Sequence, residues 1–438
     1  MTDVVIKPRE RDAVLQSLAA GVVPRLGQYL IQVGRARELK ALVADIERLA
    51  TGGSSVRFVI GEYGSGKTFF LSLVRAIALE KKHVAISADL SPERRLHATD
   101  GQARRLYAEL VRNMSTRSKP DGGALPSVVE RFVTTALEES RLSKQPTETI
   151  ILKRLESLSE LVGGYDFAQV IAAYCRGHEQ GDEELKSNAL RWLRGEISTK
   201  TDARTALGVR TIVDDGNVYD QLKLLARFVH LAGYSGLVVC LDEMVNLYKL
   251  SNTKARNNNY EQILRILNDC LQGSAEWLGF IFGGTPDFLT DPRRGLYSYA
   301  ALESRLRENA FAVNGLEDFK GPVLRLANLS HEDLYVLLGK IRHVQAAGNV
   351  STYVVSDDGI REFMHRCSTQ IGEAYFRTPR NTITAFTQLL SVLEQNPGTT
   401  WQSVLGNVKV ETDHGSAQDR EVEQSGASGD DDLASFKM

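Results

Sequence analysis

The stretch Gly61-Glu62-Tyr63-Gly64-Ser65-Gly66-Lys67-Thr68 decides the fold of this 438-residue chain. Its glycines let the backbone curl so that N–H groups point at phosphate oxygens. The lysine of such a loop reaches the β- and γ-phosphates, and the hydroxyl after it binds Mg²⁺. An apolar run at 56–60 precedes the loop, and the pattern at 66–81 predicts an apolar helix. The sequence therefore predicts a nucleoside triphosphate site, with Lys67 on phosphate and Thr68 on the metal.

A second apolar run, at 236–241, ends in the acids Asp242 and Glu243. Phosphate-loop ATPases need such a pair, because one carboxylate holds Mg²⁺ through water and the other polarises the attacking water. We therefore predict Asp242 as a metal ligand and Glu243 as a catalytic residue. The chain has no Asn-Lys-x-Asp segment, which disfavours a GTPase. Glu243 after Asp242 favours hydrolysis over a small-molecule kinase.

The hydrophobic pattern predicts an α/β fold with a parallel sheet, because short apolar runs alternate with helical stripes. The stretch 91–215 has helical stripes and little strand signal, which indicates a helical insertion. Beyond 330 the chain is helical again, with Ser330 and Asp333 as a weakened capping box and Pro379 opening a further helix. The strands are predicted at 56–60, 83–89, 236–241 and 277–282, and the other helices at 8–20, 36–50 and about 259–272.

Charge and composition restrict the class of protein. The formal net charge is −2, which argues against a strongly basic nucleic-acid coat. The segment 411–438 alone carries −6, which leaves +4 for 1–410. This 411–438 segment is rich in Gly, Ser and acids and has almost no large apolar residue, which predicts a disordered tail. Four scattered cysteines indicate reduced thiols rather than disulfides or zinc. No apolar run reaches 18 residues and no secretory leader is visible, so we expect a cytoplasmic protein without a membrane span.

The remaining motifs resemble the AAA+ ATPase superfamily, over about 31–395. Gly34 and Arg35 lie in Val33-Gly34-Arg35-x-x-Glu38, which resembles the family's N-terminal adenine-pocket segment. The run 278–285 resembles the sensor-1 strand, with Thr285 as its polar tip. A turn residue before Pro286 is the alternative interpretation of Thr285.

The same resemblance implies roles for three arginines. Ala301-Leu-Glu-Ser-Arg305-Leu-Arg307 resembles the stretch that carries the arginine finger, with Arg305 as first choice and Arg307 as second. The finger would act on a neighbouring subunit, so activity should depend on oligomerisation. Arg380, behind Thr378-Pro379, occupies the position of sensor 2. There it would couple the nucleotide state to the angle of a helical lid.

A narrower resemblance is to the ATP-binding proteins of BREX-type phage-defence operons, which are similar to initiator-type AAA+ proteins of the origin-recognition group. It is carried by Pro24-Arg25, Gln32–Arg35, Phe58–Phe70, Ala88–His97 and the long insertion. It implies ATP and Mg²⁺ as cofactors, and a homo-oligomer or a hetero-oligomer with operon-encoded defence proteins. The implied nucleotide-binding loop comprises Gly61, Glu62, Tyr63, Gly64, Ser65, Gly66, Lys67, Thr68 and Phe69.

These observations predict an N-terminal helical segment (1–30), a nucleotide-binding domain (31–328, with the insertion 91–215), a helical lid (329–400) and the acidic tail (411–438). The expected function is ATP hydrolysis that remodels, or loads onto, DNA or a partner complex. The alternative is an ATP-gated scaffold that recruits defence partners with little turnover. A signalling NTPase is disfavoured because no sensor repeat or effector domain is visible. Duplex DNA is a candidate partner because of the basic pairs Arg94-Arg95, Arg104-Arg105 and Arg293-Arg294.

Overall fold

A computed structural model describes residues 5–312, 317–371 and 379–405. The described residues form two compact units. The larger comprises 35–62 and 66–327, and the smaller comprises the described residues of 1–34, 63–65 and 328–438. The acidic tail predicted for 411–438 and Thr378 lie outside the described residues. The helix predicted to open at Pro379 is confirmed as Pro379–Gln395.

The larger unit is built on a parallel sheet, which in the described part of the chain has five strands in the order β2-β3-β4-β1-β5. The four predicted strands are confirmed to within two residues at each end. The strand β5 was not predicted, because it is a four-residue edge strand interrupted by the exposed Arg325. The strands are β1 (Ser55–Gly61), β2 (Val84–Asp89), β3 (Leu237–Asp242), β4 (Leu278–Gly284) and β5 (Val323–Leu326).

The register of the sheet brings the carboxyl ends of four strands to one edge. Ile60 of β1 lies opposite Gly284 of β4, and Leu241 of β3 lies opposite Phe282 of β4. Asp89, the last residue of β2, lies opposite Asp242 of β3. The phosphate loop, Asp242 and the residues that follow β4 therefore meet at the same edge.

Helices cover both faces of the sheet, so its strands are almost wholly buried. On one face, Leu42, Ile46 and Leu49 of the helix Ala36–Ala50 pack in one cluster with Phe70 and Val74 of the helix Lys67–Glu80. The helix predicted from 259 begins at Thr253, because the Asn252 side chain accepts a hydrogen bond of 3.0 Å from the Ala255 N–H. The other helices of this unit outside 91–215 are Val218–Leu231, Val245–Tyr248, Pro286–Thr290 and Ala300–Leu306.

The stretch 91–215 between β2 and β3 folds mainly into helices that share one apolar core with the second face of the sheet. Phe228, on the helix Val218–Leu231, connects the two. Its ring centroid lies 5.3 Å from that of Phe132 and 5.7 Å from that of Phe167. This continuity means that 91–215 does not have a separate core. Its helices are Gln102–Arg112, Leu125–Ser143, Thr147–Leu155, Gly164–Gln180, Glu183–Leu193 and Lys200–Leu207.

The smaller unit joins the start of the described chain to its end. Arg11, on the first helix, forms an ion pair of 2.5 Å with Glu394 and donates a 2.8 Å hydrogen bond to the Gln345 carbonyl. The capping box predicted at Ser330 and Asp333 is confirmed. The helices are Pro8–Ala19, Gln28–Ile31, His331–Gln345, Asp357–Ile371, Pro379–Gln395 and Trp401–Leu405.

No helix within the described ranges is both long enough and apolar enough to cross a membrane. Cys175, Cys240, Cys270 and Cys367 are buried and carry free thiols. Burial raises the pKa of each to about 12, so these thiols are unreactive at neutral pH.

Candidate nucleotide site

The phosphate loop leaves β1 and turns into the helix Lys67–Glu80. Gly64 and Gly66 have φ values of 82° and 84°, a left-handed conformation that side chains with a Cβ rarely adopt. Gly66 is also the residue that caps the helix. The first N–H groups of a helix have no partner within it, and the helix dipole places positive charge there. The loop therefore offers an anion site at the carboxyl edge of the sheet.

Lys67 is folded back over this loop. Its Nζ donates hydrogen bonds to the Gly61 carbonyl at 2.8 Å and the Glu62 carbonyl at 2.9 Å. Burial lowers the pKa of Lys67, while Asp242, Glu243 and Glu62 act in the opposite direction. Neutral carbonyls only partly compensate a desolvated ammonium group. The arrangement therefore fits a phosphate anion, which would supply the missing charge.

The two predicted metal ligands are in direct contact. Thr68 Oγ1 donates a 2.8 Å hydrogen bond to Asp242 Oδ2, and Asp242 is only 8% exposed. A Cβ at Gly283 would lie 2.3 Å from Asp242 Oδ1, so only glycine leaves room for this carboxylate. Mg²⁺ usually takes one or two protein oxygens together with phosphate oxygens and water. A hydroxyl and a carboxylate side by side beneath the phosphate loop fit that demand.

Glu243 follows with an unusual backbone. Its φ is 57°, which costs about 1–2 kcal/mol for a residue with a Cβ. Its N–H donates a 2.9 Å hydrogen bond to Asp242 Oδ1. Partial desolvation raises the pKa of Glu243, and the negative charges of Asp242 and Asp89 raise it further. A carboxylate held in a strained conformation beside like charges is typical of a functional site.

Asp89 is the residue that sequence reasoning missed. It ends β2 directly beside Asp242, and desolvation followed by the charge of Asp242 raises its pKa. The signal was available, since the predicted strand at 83–89 ends in an acid just as the run before Asp242 does. Asp89, Asp242 and Glu243 therefore lie close enough at this edge for their charges to interact.

Thr285 follows β4, which lies between β1 and β3. Its hydroxyl accepts a 3.4 Å hydrogen bond from the Phe288 N–H and so caps the helix Pro286–Thr290. This contact agrees with the turn interpretation of Thr285. It occupies one lone pair of the hydroxyl and leaves the O–H able to donate. The sensor role stays a prediction.

The two candidate finger arginines differ in their partners. Arg305 is exposed, and it donates hydrogen bonds of 2.7 Å to Asn268 Oδ1 and to the Ala301 carbonyl. Arg307 is also exposed, but it forms a 2.7 Å ion pair with Glu303. The ion pair neutralises Arg307, whereas both acceptors of Arg305 are neutral. This difference favours Arg305.

The other predicted nucleotide contacts lie on both units. Gly34 and Arg35, with φ values of 63° and 61°, precede the helix Ala36–Ala50, and Arg35 lies 3.7 Å from Glu38. Arg380 belongs to the smaller unit and is exposed. A Cβ at Gly21 would lie 3.0 Å from Arg380 Nε. The roles predicted for these residues stay predictions.

The remaining loop residues differ in burial. Tyr63 is 52% exposed and Ser65 is buried, while Glu62 is exposed and Phe69 half-buried. The loop thus presents Glu62 and Tyr63 to solvent, where a ligand can reach them.

The basic pairs proposed to contact DNA are partly neutralised. Arg105 forms a 2.8 Å ion pair with Glu93, and Arg94 lies 3.7 Å from Glu109. The Arg294 guanidinium lies 5.4 Å from the centre of the Tyr248 ring. These contacts leave less free positive charge than the sequence suggests.

A phosphate-binding loop with Lys67 above it, and with Thr68 against a strand-terminal carboxylate, defines a phosphate-loop nucleotide-binding protein. The family model described as BREX system ATP-binding protein BrxC/D matches residues 6–409, and the chain therefore belongs to that family. The resemblance to BREX ATP-binding proteins that the sequence indicated is confirmed, and the family is described as ATP-binding. A comparison with curated proteins gives no match.

Proposed function

We propose that this protein hydrolyses ATP with Mg²⁺ and uses the reaction to remodel DNA or a partner complex in BREX defence. One observation carries the proposal. Glu243 directly follows Asp242 and donates its N–H to Asp242 Oδ1, at the edge where the phosphate loop and Thr68 lie, and partial desolvation and the charges of Asp242 and Asp89 raise its pKa. A protein that only binds ATP has no need for a second carboxylate beside the metal ligand at this place.

Each residue of the edge has a role that follows from its contacts. Lys67 would exchange its two carbonyl acceptors for β- and γ-phosphate oxygens. Thr68 and Asp242 would hold Mg²⁺, which when bound neutralises charge on the β- and γ-phosphates. The buried position of Asp242 keeps its oxygens fixed, so the ligands need little reorganisation when nucleotide binds.

Glu243 would accept a hydrogen bond from the attacking water and orient it. Its raised pKa suits this role, because a carboxylate with a raised pKa is a stronger base. The like charges of Asp242 and Asp89 would be relieved when a proton or a cation arrives. The repulsion between these carboxylates in the free protein would therefore favour binding of a cation.

Further contacts would complete the site. Gly34 and Arg35 would line the adenine pocket, Thr285 would sense the γ-phosphate, and Arg380 would report it to the lid helices. Arg305 would act on ATP bound by a neighbouring subunit, either a second copy or an operon-encoded partner. Cations aimed at the transferring phosphoryl group are the main means by which proteins accelerate this reaction.

The decisive experiment compares Glu243→Gln with Lys67→Ala. Glu243→Gln keeps the shape of the side chain, so we expect ATP binding to persist while turnover falls about 10²–10⁴-fold. Lys67→Ala should lose ATP binding. Glu261→Gln is the control, since Glu261 is an exposed residue on the helix Thr253–Gln272. Binding is measured by nucleotide titration and turnover by phosphate release, with and without duplex DNA.

Two results would contradict the proposal. Normal hydrolysis by Glu243→Gln would show that Glu243 does not act on the water. A wild-type rate that stays at background with DNA and with operon partners would favour the ATP-gated scaffold.

A further inference from the structure

Two hydrogen bonds hold the guanidinium group of Arg305, one of them to Asn268. Arg305 lies on the short helix Ala300–Leu306, and Asn268 lies on the long helix Thr253–Gln272. The Asn268 carbonyl oxygen accepts from Nε, and the Ala301 carbonyl accepts from Nη1, each at 2.7 Å. Two fixed points on one planar group determine its orientation.

The charge of this oriented guanidinium is uncompensated. Among the described residues, no carboxylate forms an ion pair with Arg305, whereas Arg307 two positions away is paired with Glu303. Nη2 of Arg305 donates no hydrogen bond within the described part of the chain. The side chain therefore keeps both a full positive charge and free donors for an external anion.

The part of the helix Thr253–Gln272 that carries Asn268 is fixed by burial and by ion pairs. Its neighbours Leu267 and Cys270 are buried, and Asp269 forms a 3.3 Å ion pair with Lys223 of the helix Val218–Leu231. One helical turn earlier, Arg265 forms a 2.7 Å ion pair with Asp220 of that same helix. A hydrogen-bond acceptor held this way can impose its position on an exposed side chain.

We propose that Asn268 is a positioning residue, which pre-orders the Arg305 guanidinium for a triphosphate bound by a second copy of this chain. An exposed arginine loses rotamer entropy when it is captured by an anion. Asn268 removes part of that loss beforehand and adds no charge. The inference rests on the proposed trans-acting role of Arg305.

The test compares two near-isosteric substitutions. Asn268→Leu removes the acceptor, and Asn268→Asp keeps the acceptor but neutralises the guanidinium. The measurement is the ATPase rate per subunit as protein concentration rises. Because one such hydrogen bond contributes about 0.5–1.5 kcal/mol, we expect Asn268→Leu to lower the concentration-dependent rate about 2–13-fold. Asn268→Asp should lower it as well, and ATP affinity at low protein concentration should not change.

Asn188→Leu is the matched control, because Asn188 also accepts from an arginine, Arg191, at 3.5 Å on a helix of the insertion. It should leave the concentration dependence unchanged. A second readout does not need turnover. In a Glu243→Gln background, Asn268→Leu should raise the protein concentration needed for ATP-dependent self-association in light scattering.

The results distinguish the positioning role of Asn268 from the trans-acting role of Arg305. If Arg305→Ala changes neither rate nor self-association, the trans-acting role of Arg305 is wrong. If Arg305→Ala lowers them while Asn268→Leu equals wild type, the finger stands and the positioning role of Asn268 is wrong. Reduced thermal stability of Asn268→Leu together with an unchanged concentration dependence would also overturn it, because a purely structural role predicts that pattern.

Discussion

The two edges of the sheet differ in how their charged side chains are compensated. Near the amino edge, Arg57 of β1 is buried but forms a 2.5 Å ion pair with Asp45, and it also donates to the Gly321 carbonyl. At the carboxyl edge, partial desolvation and like charge among Asp89, Asp242 and Glu243 raise the pKa of Asp89 and of Glu243. Arg94 acts in the opposite direction on Asp89, and Lys67 and Lys249 act in the opposite direction on Glu243. The first arrangement is complete within the protein, whereas the like charges of the second are only partly compensated.

Backbone conformation alone does not distinguish the edges. Lys82, before β2, has a φ of 63°, and Trp277, before β4, has a φ of 54°, close to the 57° of Glu243. Left-handed residues therefore occur at both edges. Electrostatic crowding is what sets the carboxyl edge apart, and substitutions at the amino edge should affect stability without affecting nucleotide.

The largest expected effect comes from breaking the paired charge at the amino edge. Asp45→Ala leaves Arg57 buried and uncompensated, and we expect it to lower the free energy of unfolding by about 3–5 kcal/mol. Urea unfolding measures this loss, and the ATP affinity of the folded fraction should not change. The double substitution Asp45→Leu with Arg57→Met is the control and should recover most of the loss, because it removes both charges. A wild-type unfolding midpoint for Asp45→Ala would contradict the importance of the pair.

Two glycines of β4 provide a matched comparison of the edges. A Cβ at Gly279 would lie 2.8 Å from Leu49 Cδ1, and a Cβ at Gly283 would lie 2.3 Å from Asp242 Oδ1. Each alanine substitution should cost about 1–3 kcal/mol through overpacking. Only Gly283→Ala should also weaken Mg²⁺-dependent ATP binding, because it displaces Asp242. Isothermal titration with and without Mg²⁺ would decide, and equal loss of binding in both variants would remove the distinction between the edges.

Substituting glycine at two left-handed positions tests how much the repulsion between carboxylates at the carboxyl edge costs. Lys82→Gly relieves only backbone strain, so we expect it to raise the free energy of unfolding by about 1 kcal/mol. Glu243→Gly also removes a carboxylate whose pKa is raised. A raised pKa means that the ionised form destabilises the folded state at pH values above it. Glu243→Gly should therefore stabilise more than Lys82→Gly at neutral pH. Equal gains in chemical denaturation would show that crowding contributes little.

The smallest expected effect is a shift in pH dependence. The charge of Asp89 contributes to the raised pKa of Glu243, so Asp89→Asn should lower that pKa. Because Glu243 acts in its ionised form, the acid limb of the ATPase pH profile should move to lower pH, by less than about one unit. Asp100→Asn is the control, since Asp100 is exposed. A shift toward higher pH would contradict the assigned coupling.

The local parts of the site could be predicted from the sequence because each rests on neighbouring residues. The spacing of Gly61 to Thr68 predicts the loop, and an apolar run ending in Asp242 and Glu243 predicts the acid strand. β5 could not be predicted, since four residues with an exposed Arg325 carry too weak a pattern. Asp89 was missed because its significance depends on a neighbour across the sheet.

The sequence by itself determined that this chain binds a phosphate-bearing nucleotide, since loop geometry and helix capping are local consequences of residue type. Only the tertiary structure decided which side chains meet. It brought Asp89 beside Asp242 through the pairing of β2 with β3, and it brought Asn268 beneath Arg305. The same difference applies to charge: the sequence counts acids and bases, but burial and distance decide which of them are neutralised. The physical reason is that such contacts join segments far apart in the chain, where strand order and packing, rather than local pattern, choose the partners.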